Sequence, residues 1–426
     1  MSQPGWSDPK AFLADLFHCA VAAADPAKVL QQHIPPRPAG RTVVVSAGKG
    51  AAQLAAAFEQ LWDGPLEGVV VTRYGYACPT RQVEVLEAAH PVPDDAGLAA
   101  SARLLAAVEG LTEDDLVVAL VCGGGSALLP APPDGLSLAD EIAVNEALLA
   151  SGAPIGEMNA VRKHCSQIKG GRLAAAAHPA KVLSLVVSDI PGDDPALVAS
   201  GPTVPDATSR EQALEIVERY GMALPDAVIR HLQSDVANAP AAVDPVFAGN
   251  EVRVVASARL SLEAAAARAR EAGIAAHILS DAIEGEARDI GRMHGAIARE
   301  IALHGRPFEA PVVLLSGGET TVTVRAKGRG GRNAELALAM ARDLNGLGRR
   351  ITALAADTDG IDGTEDNAGA FVDGATWERL IDLGVDPAAA LAQNDAWGAF
   401  ARLEDLFVTG PTGTNVNDFR AVLVTG

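Results

Sequence analysis

Positive charge, cysteine and long apolar runs are all scarce in this chain. Lys and Arg number 34 against 54 Asp and Glu, a formal net charge of −20. General binding to nucleic acid or to anionic membranes needs a basic face, and this balance argues against both. The four cysteines, Cys19, Cys78, Cys122 and Cys165, lie far apart with no CxxC pair. That pattern suits reduced thiols in a cytoplasm better than a disulfide framework or a zinc site. No run of about 18 apolar residues offers a membrane span. The opening stretch MSQPGWSDPKAFLADLFHCA is interrupted by Asp15 and His18 and reads as a short amphipathic helix, not a signal peptide. No segment repeats at a fixed period. What remains is a globular composition, 49% apolar and 21% charged, over 426 residues. That length is too great for one ordinary core and predicts two domains.

Short β-branched runs alternate with alanine-rich helical stretches. Strands are predicted at 42–47, 68–72, 115–121, 181–188, 251–257, 311–316, 351–356 and 421–426, with helices at 51–62, 96–109, 210–220 and 261–272. Runs that are apolar throughout, separated by helices, predict an α/β fold built on a mostly parallel sheet covered on both faces. The stretch SDVANAPAAVDPV (234–246) has the least periodicity and two prolines. A domain boundary is expected there, dividing the chain into 1–240 and 241–426.

Five constellations carry chemistry. In SGGETTVTVRAKGRGGRNAE (316–335) a strand meets Gly317, Gly318 and Glu319, and a basic glycine-rich loop with Arg325, Lys327, Arg329 and Arg332 then opens a helix at Asn333. Glycines admit a ligand close to the backbone and a helix N-terminus favours negative charge, so an anion site is expected. In SAGKGAAQL a strand runs through Gly48, Lys49 and Gly50 into a helix. It fails both the GxxxxGK[ST] and the GxGxxG patterns, leaving either a tight turn with an exposed lysine or a lysine aimed at an anion. In LVCGGGSALL, Gly123, Gly124, Gly125 and Ser126 follow a buried strand and suit a backbone nest for phosphate or carboxylate. Ser126 lacks the GxSxG elbow and an evident His–Asp partner, so a serine hydrolase carries little weight. MNAVRKHCSQIKGGRLA (158–174) places Arg162 and Lys169 on one helix face, as a solvated stripe or an anion contact. His164 and Cys165 read as packing groups. The carboxylates Asp189, in SDIPGDD, and Asp357, in DTDGIDG, stand closest to strand ends. They are the preferred base or metal candidates; the competing reading is Asp-Gly turns.

Over most of its length the chain resembles the glycerate 2-kinases with a MOFRL C-terminal domain. The likeness rests on SAGKGA, CGGGSALL, MNAVRKHCSQIKGGRLA, SDIPGDDPALVASGPTVPD, LSGGETTVTV, GRGGRNAELAL, DTDGIDGTEDNAGA and TGPTGTNVND, in that order. The resemblance implies a Rossmann-like N-terminal domain, a smaller α/β C-terminal domain and an active site in the cleft between them. It implies phosphorylation of D-glycerate on its 2-hydroxyl by ATP with Mg²⁺, giving 2-phosphoglycerate. By motif, Lys49 and Arg332 become the catalytic cations and Asp189 the acidic catalytic residue. Asp189 and Asp357 become the metal candidates. The binding set is completed by Gly48, Gly50, Gly123, Gly124, Gly125, Ser126, Arg162, Lys169, Gly317, Gly318, Glu319, Arg325, Asn333 and Asn415.

Two other classes compete. Members of this family have carried the label hydroxypyruvate reductase, but neither glycine-rich loop makes a dinucleotide fingerprint and no His–acid pair stands placed for hydride chemistry. A sensor of sugar acids or nucleotides would need an effector module, and no helix-turn-helix or basic stripe is visible. The expected partners are small molecules, not nucleic acid or membrane, with a homodimer left open.

Overall fold

In the computed structural model, which describes residues 6–205 and 207–425, the apolar runs become the strands of two six-stranded sheets. The first contains β1 (Thr42–Ala47), β2 (Glu67–Arg73), β3 (Val83–Ala88), β4 (Leu116–Cys122), β5 (Lys181–Val187) and β6 (Glu251–Ala256). Their spatial order is β3-β2-β1-β4-β5-β6, the doubly wound order of dinucleotide-binding folds. β1 to β5 pair in parallel throughout. Alternate residues of one face (Val43, Val45, Val69, Val71, Val117, Ala119) bury against helix Asp95–Val108. Helix Ala51–Leu61 packs on β1, β2 and β4 without joining that core, and so covers the other face.

The second sheet comprises β7 (Ala275–Ser280), β9 (Val312–Ser316), β11 (Gly348–Asp357), β12 (Gly369–Gly374), β13 (Leu406–Phe407) and β14 (Asp418–Val424), in the order β13-β12-β11-β14-β9-β7. Two short strands, β8 (Gly285–Glu286) and β10 (Thr320–Thr321), pair separately. Only β7 and β9 run parallel; the other four pairings are antiparallel. The expectation of a mostly parallel arrangement therefore holds for the first sheet and fails for the second. The reason is visible in the packing. Val312, Leu314, Ala353, Ala355, Val422 and Val424 point into one core, with helices Ala287–His304 and Arg332–Leu344. Val313, Leu315, Leu354, Ala356, Ala421 and Leu423 point into another, with helices Pro9–Ala23 and Ala258–Glu271. A continuous apolar run reports burial on two faces, and strand direction is independent of it.

The compact units are Pro26–Val255, and Met1–Asp25 together with Ala256–Gly426. They differ from the expected 1–240 and 241–426 in two respects. β6 adds to the β5 edge of the first sheet, which carries that unit past residue 240. Helix Pro9–Ala23 buries Phe12, Leu13, Leu16 and Phe17 on the second sheet. The amphipathic reading of this segment was right; its place in the chain concealed which core it joins.

Candidate functional site

In the first unit the strand order turns between β1 and β4, and doubly wound sheets bind ligands outside the C-terminal strand ends at that point. β1 runs there into Gly48, Lys49 and Gly50, β4 into Gly123–Ser126, and β5 into Ser188 and Asp189. The first two loops are tied together by the Lys49 N–H, which donates to the Gly123 carbonyl at 2.8 Å. A Cβ on Gly123 would fall 1.8 Å from an Asp189 carboxylate oxygen. On Gly124, which has φ +80°, it would fall 2.9 Å from Lys49 Cγ and 3.2 Å from His90 Nε2. Only glycine lets these three side chains close on the loop.

Lys49 is half-buried and, among the described residues, has no carboxylate within 4 Å. Arg73, at the end of β2, stacks on Tyr76 at 3.6 Å. Burial, then the charges of Lys49 and Arg73, pull the His90 imidazole down to about 4, so it is neutral at pH 7. Burial pushes the Cys122 thiol up to about 12, which leaves it chemically inert.

Beside the nest runs a hydrogen-bonded chain. Ser126 Oγ and Ser200 Oγ lie 2.8 Å apart, and Ser200 donates to Asn159 Oδ1 at 3.0 Å. Ser200 has one proton to give, so Ser126 is the donor of that pair. Asn159 Oδ1 also accepts from Arg162 Nη1 at 3.2 Å, one helical turn along Ile155–His164, while Arg162 Nε donates to Asn145 Oδ1 at 2.8 Å. Arg162 is thus positioned by two neutral amides and has no carboxylate partner among the described residues; burial lowers its pKa. Ala199, Ser200 and Gly201 take consecutive left-handed conformations, φ 51°, 59° and 57°. Two of them are not glycine, and strain of this kind persists where the surroundings fix it, often at functional sites. Lys169 has a different place. It is buried, with Nζ on Glu141 at 2.6 Å and on the Leu129 carbonyl at 2.7 Å, an interior ion pair. His164 is buried between the carbonyls of Ala237 and Thr208, as a packing group.

The second unit gathers Glu319, Arg332, Asn333 and Asp357 around the buried Asp418. Arg332 donates to Asp418 (Nε, 2.7 Å), Glu319 (Nη1, 2.7 Å) and Asp357 (Nη2, 2.8 Å). Burial works against its charge, but these three carboxylates outweigh that and hold it more firmly protonated than usual. Burial likewise opposes the Asp418 carboxylate, which Arg420 and Arg332 nonetheless keep below the ordinary range. Asp357 goes the other way, raised by burial and by Asp359. Arg420 is fully buried and donates to Asp418 and to the Gly317 carbonyl. The Gly318 carbonyl accepts from the Asp418 N–H, which brings the Gly317–Gly318 turn against the same carboxylate.

The glycine-rich loop does not converge its cations. Arg329 stacks on Trp397 at 3.6 Å and pairs with Glu365, while Arg325 and Lys327 are exposed. The amides opening helix Arg332–Leu344 are already taken: Asp362 accepts from Asn333 N–H at 2.9 Å and from Ala334 N–H at 2.8 Å. A Cβ on Gly331 would strike that same carboxylate at 2.2 Å. These glycines serve close packing of protein on protein. Asn415, on the loop before β14, accepts from the Asn417 N–H. Among the described residues no group of three or more His, Cys, Asp or Glu is arranged to hold a metal ion, and no helix is long and apolar enough to cross a membrane.

Residues 12–233 match the family described as a domain of unknown function, DUF4147, and residues 312–418 match the MOFRL family. A D-glycerate 2-kinase from Thermotoga maritima is 40% identical over 94% of this chain and 94% of its own. The chain belongs to the MOFRL-type glycerate 2-kinase family. A crystal structure of glycerate kinase from Thermotoga maritima superposes on it with a TM-score of 0.89 at 37% identity, covering 98% of this chain and 99% of that one. A relative from Agrobacterium vitis, 51% identical over 98% of this chain and 96% of its own, bears the name "Putative hydroxypyruvate reductase". The motifs singled out in the sequence are thus those of a glycerate 2-kinase family member. Asn159, Ser200 and Asp418 lie inside those motifs without having been named as site residues, and His90 and Arg73 lie outside them. Asp418 could have been noticed, since it sits three residues past Asn415; His90 belongs to no pattern and is visible only once β3 is placed beside β2.

Proposed function

We propose that this protein phosphorylates D-glycerate on its 2-hydroxyl, with ATP as donor and Mg²⁺ as the metal, giving 2-phosphoglycerate and ADP. The observation that carries the reading is a pair of cations that form no salt bridge among the described residues, in a chain of net charge −20: Lys49 at the carboxyl end of a strand of the doubly wound sheet, and Arg162 on the helix linked to that nest through Asn159, Ser200 and Ser126. Arg162, fixed by Asn145 and Asn159, is suited to the glycerate carboxylate. Lys49 and the Gly123–Gly125 amides are suited to the phosphoryl oxygens. The 2-hydroxyl oxygen forms the new bond to the terminal phosphorus as the bond to the ADP oxygen breaks, and Asp189, packed on Gly123, is the acidic group for the hydroxyl proton.

Mg²⁺ held largely by phosphate and water needs one or two protein carboxylates, and neutralises charge on the nucleotide when bound. Asp189, part-exposed at the end of β5, fits that need. Asp357 fits it poorly, because its two oxygens accept from Arg332 and from the Asp359 N–H. Arg332 is carried as the second cation by its motif alone.

The deciding assay supplies D-glycerate, ATP and Mg²⁺ to purified protein and resolves 2- from 3-phosphoglycerate, with NADH and hydroxypyruvate run in parallel. Metal-dependent 2-phosphoglycerate is the expected product. NADH oxidation without phosphoryl transfer would favour the reductase name that some relatives bear.

A further inference from the structure

His90 belongs to no sequence motif, yet it stands over the middle of the nest. It lies two residues beyond the end of β3, half-buried, and among the described residues neither ring nitrogen has a hydrogen-bond partner. Its Nε2 and Lys49 Cγ crowd the same face of Gly124, within 3.2 and 2.9 Å of the point a Cβ would occupy. Arg73 is the third basic group, at the end of β2 and paired in register with Ala88. The nearby carboxylates are otherwise engaged. Glu87 accepts from the Gly75 and Ala77 N–H groups, and Asp94 from Gly97, Ala89 and the Tyr74 hydroxyl. Asp189 lies one glycine away, against Gly123. Among the described residues, an imidazole without a hydrogen-bond partner beside two cations that form no salt bridge is an incomplete polar site.

We propose that His90 is a ligand-contacting residue of this nest, hydrogen-bonding a doubly charged tetrahedral oxyanion that Lys49 and Arg73 neutralise, and that the imidazole takes a proton from solvent as the oxyanion arrives. Without ligand, burial and the two cations keep the ring neutral. A dianion at hydrogen-bond distance reverses the sign of the local field and favours imidazolium. Binding then strengthens as pH falls from 7 towards 5, because the complex holds a proton the free protein does not. The assignment depends on the phosphoryl-transfer reading only for the identity of the ligand, which is either the terminal phosphate of a nucleotide or the phosphate of the phosphorylated acid.

The test uses sulfate, a tetrahedral dianion with no proton to exchange at pH 6. Its binding to the full chain is measured calorimetrically in two buffers of different ionisation heat. The wild-type protein should take up roughly half a proton per sulfate. His90→Ala should weaken binding about tenfold and abolish the uptake. His90→Gln keeps an N–H donor but cannot be protonated, so it should retain most of the affinity and lose the uptake. A purely structural histidine would not separate these two quantities. Failure of the wild-type protein to bind sulfate at millimolar concentration, binding without proton uptake, or uptake unchanged in His90→Ala would each overturn the proposal. ADP and 2-phosphoglycerate serve as competitors, and the one that displaces sulfate identifies the source. If neither competes, the His90 assignment stands and the phosphoryl-transfer reading falls.

Discussion

The two units treat their cations in opposite ways. In the first, Lys49 and Arg162 are set beside neutral amides and glycine backbone, and among the described residues neither forms a salt bridge, although the charge of Glu141 acts on Arg162. In the second, Arg332 meets three carboxylates at 2.7–2.8 Å, and the helix amides next to it are capped by Asp362. A charge held without a counter-ion is a standing electrostatic cost that a bound anion would relieve. A charge at the centre of a closed network holds that network together. Cations that the sequence offers alike, beside glycine-rich loops or on a helix, therefore differ in what surrounds them, and only the partners tell them apart.

The largest effect expected from breaking this contrast is on Arg332→Ala. It strips Asp357 and the fully buried Asp418 of a partner, and should destabilise the protein by about 3 kcal/mol in denaturant unfolding, at the lower end for a broken buried pair because Asp418 keeps Arg420. A wild-type unfolding midpoint would show that the network is not structural. Lys49→Ala should do the reverse: turnover of D-glycerate with ATP falls by roughly 10²–10³ while stability stays within about 0.5 kcal/mol. Near-wild-type turnover would take Lys49 out of the chemistry. Arg162→Ala should raise the KM for D-glycerate by about 10- to 100-fold with a smaller change in kcat, and Arg162→Lys should recover part of it. An effect confined to the KM for ATP would move Arg162 from the carboxylate to the nucleotide.

The smallest effect concerns Asp362. Burial raises its carboxyl to about 6, above the ordinary 3.8, although two helix N–H groups pull the other way. The folded protein then binds a proton between pH 6 and 4 that the unfolded chain does not, so keeping Asp362 charged is a cost above pH 6 that fades on acidification. Asp362→Asn removes one N–H acceptor, at about 1 kcal/mol, and should abolish that pH-dependent increment. Unfolding midpoints at pH 4.5 and 7.5 read it. If the difference between wild type and variant is the same at both, the carboxyl is not raised.

Much of this was legible in the residues. The central strands β1, β4, β5, β9, β11 and β14 announce themselves because burial on both faces gives each a run of mostly apolar residues, as in ITALAA of β11 and AVLV of β14. β3 and β7 do not, because an edge strand has less to bury: Val83–Ala88 mixes buried and exposed positions around Glu84 and Glu87. β12 is hidden differently, since GAFVDG reads as an extension of the Asp-Gly turns before it. In the site, SAGKG and CGGGS were visible as loops after strands, and topology brings them side by side. Partners were not visible. Nothing local to Lys169 tells that Glu141, 28 residues earlier, buries it as an ion pair. Nothing local to Arg332 tells that β14 brings Asp418 to it from 86 positions away.

Helix Pro9–Ala23 packs on a sheet whose interior strand, β14, is made roughly 400 residues later. At synthesis rates of 5–20 residues per second, its apolar face waits roughly 20–80 s for that surface to exist. Phe17, which meets Phe407 and Phe419 edge-on at 5.0 and 5.7 Å, has neither partner until then. The unit between them, all of whose strands precede residue 257, can fold on the ribosome while the helix is still without a partner. Birth of this protein is thus an insertion: one unit can mature inside the unfinished span of the other.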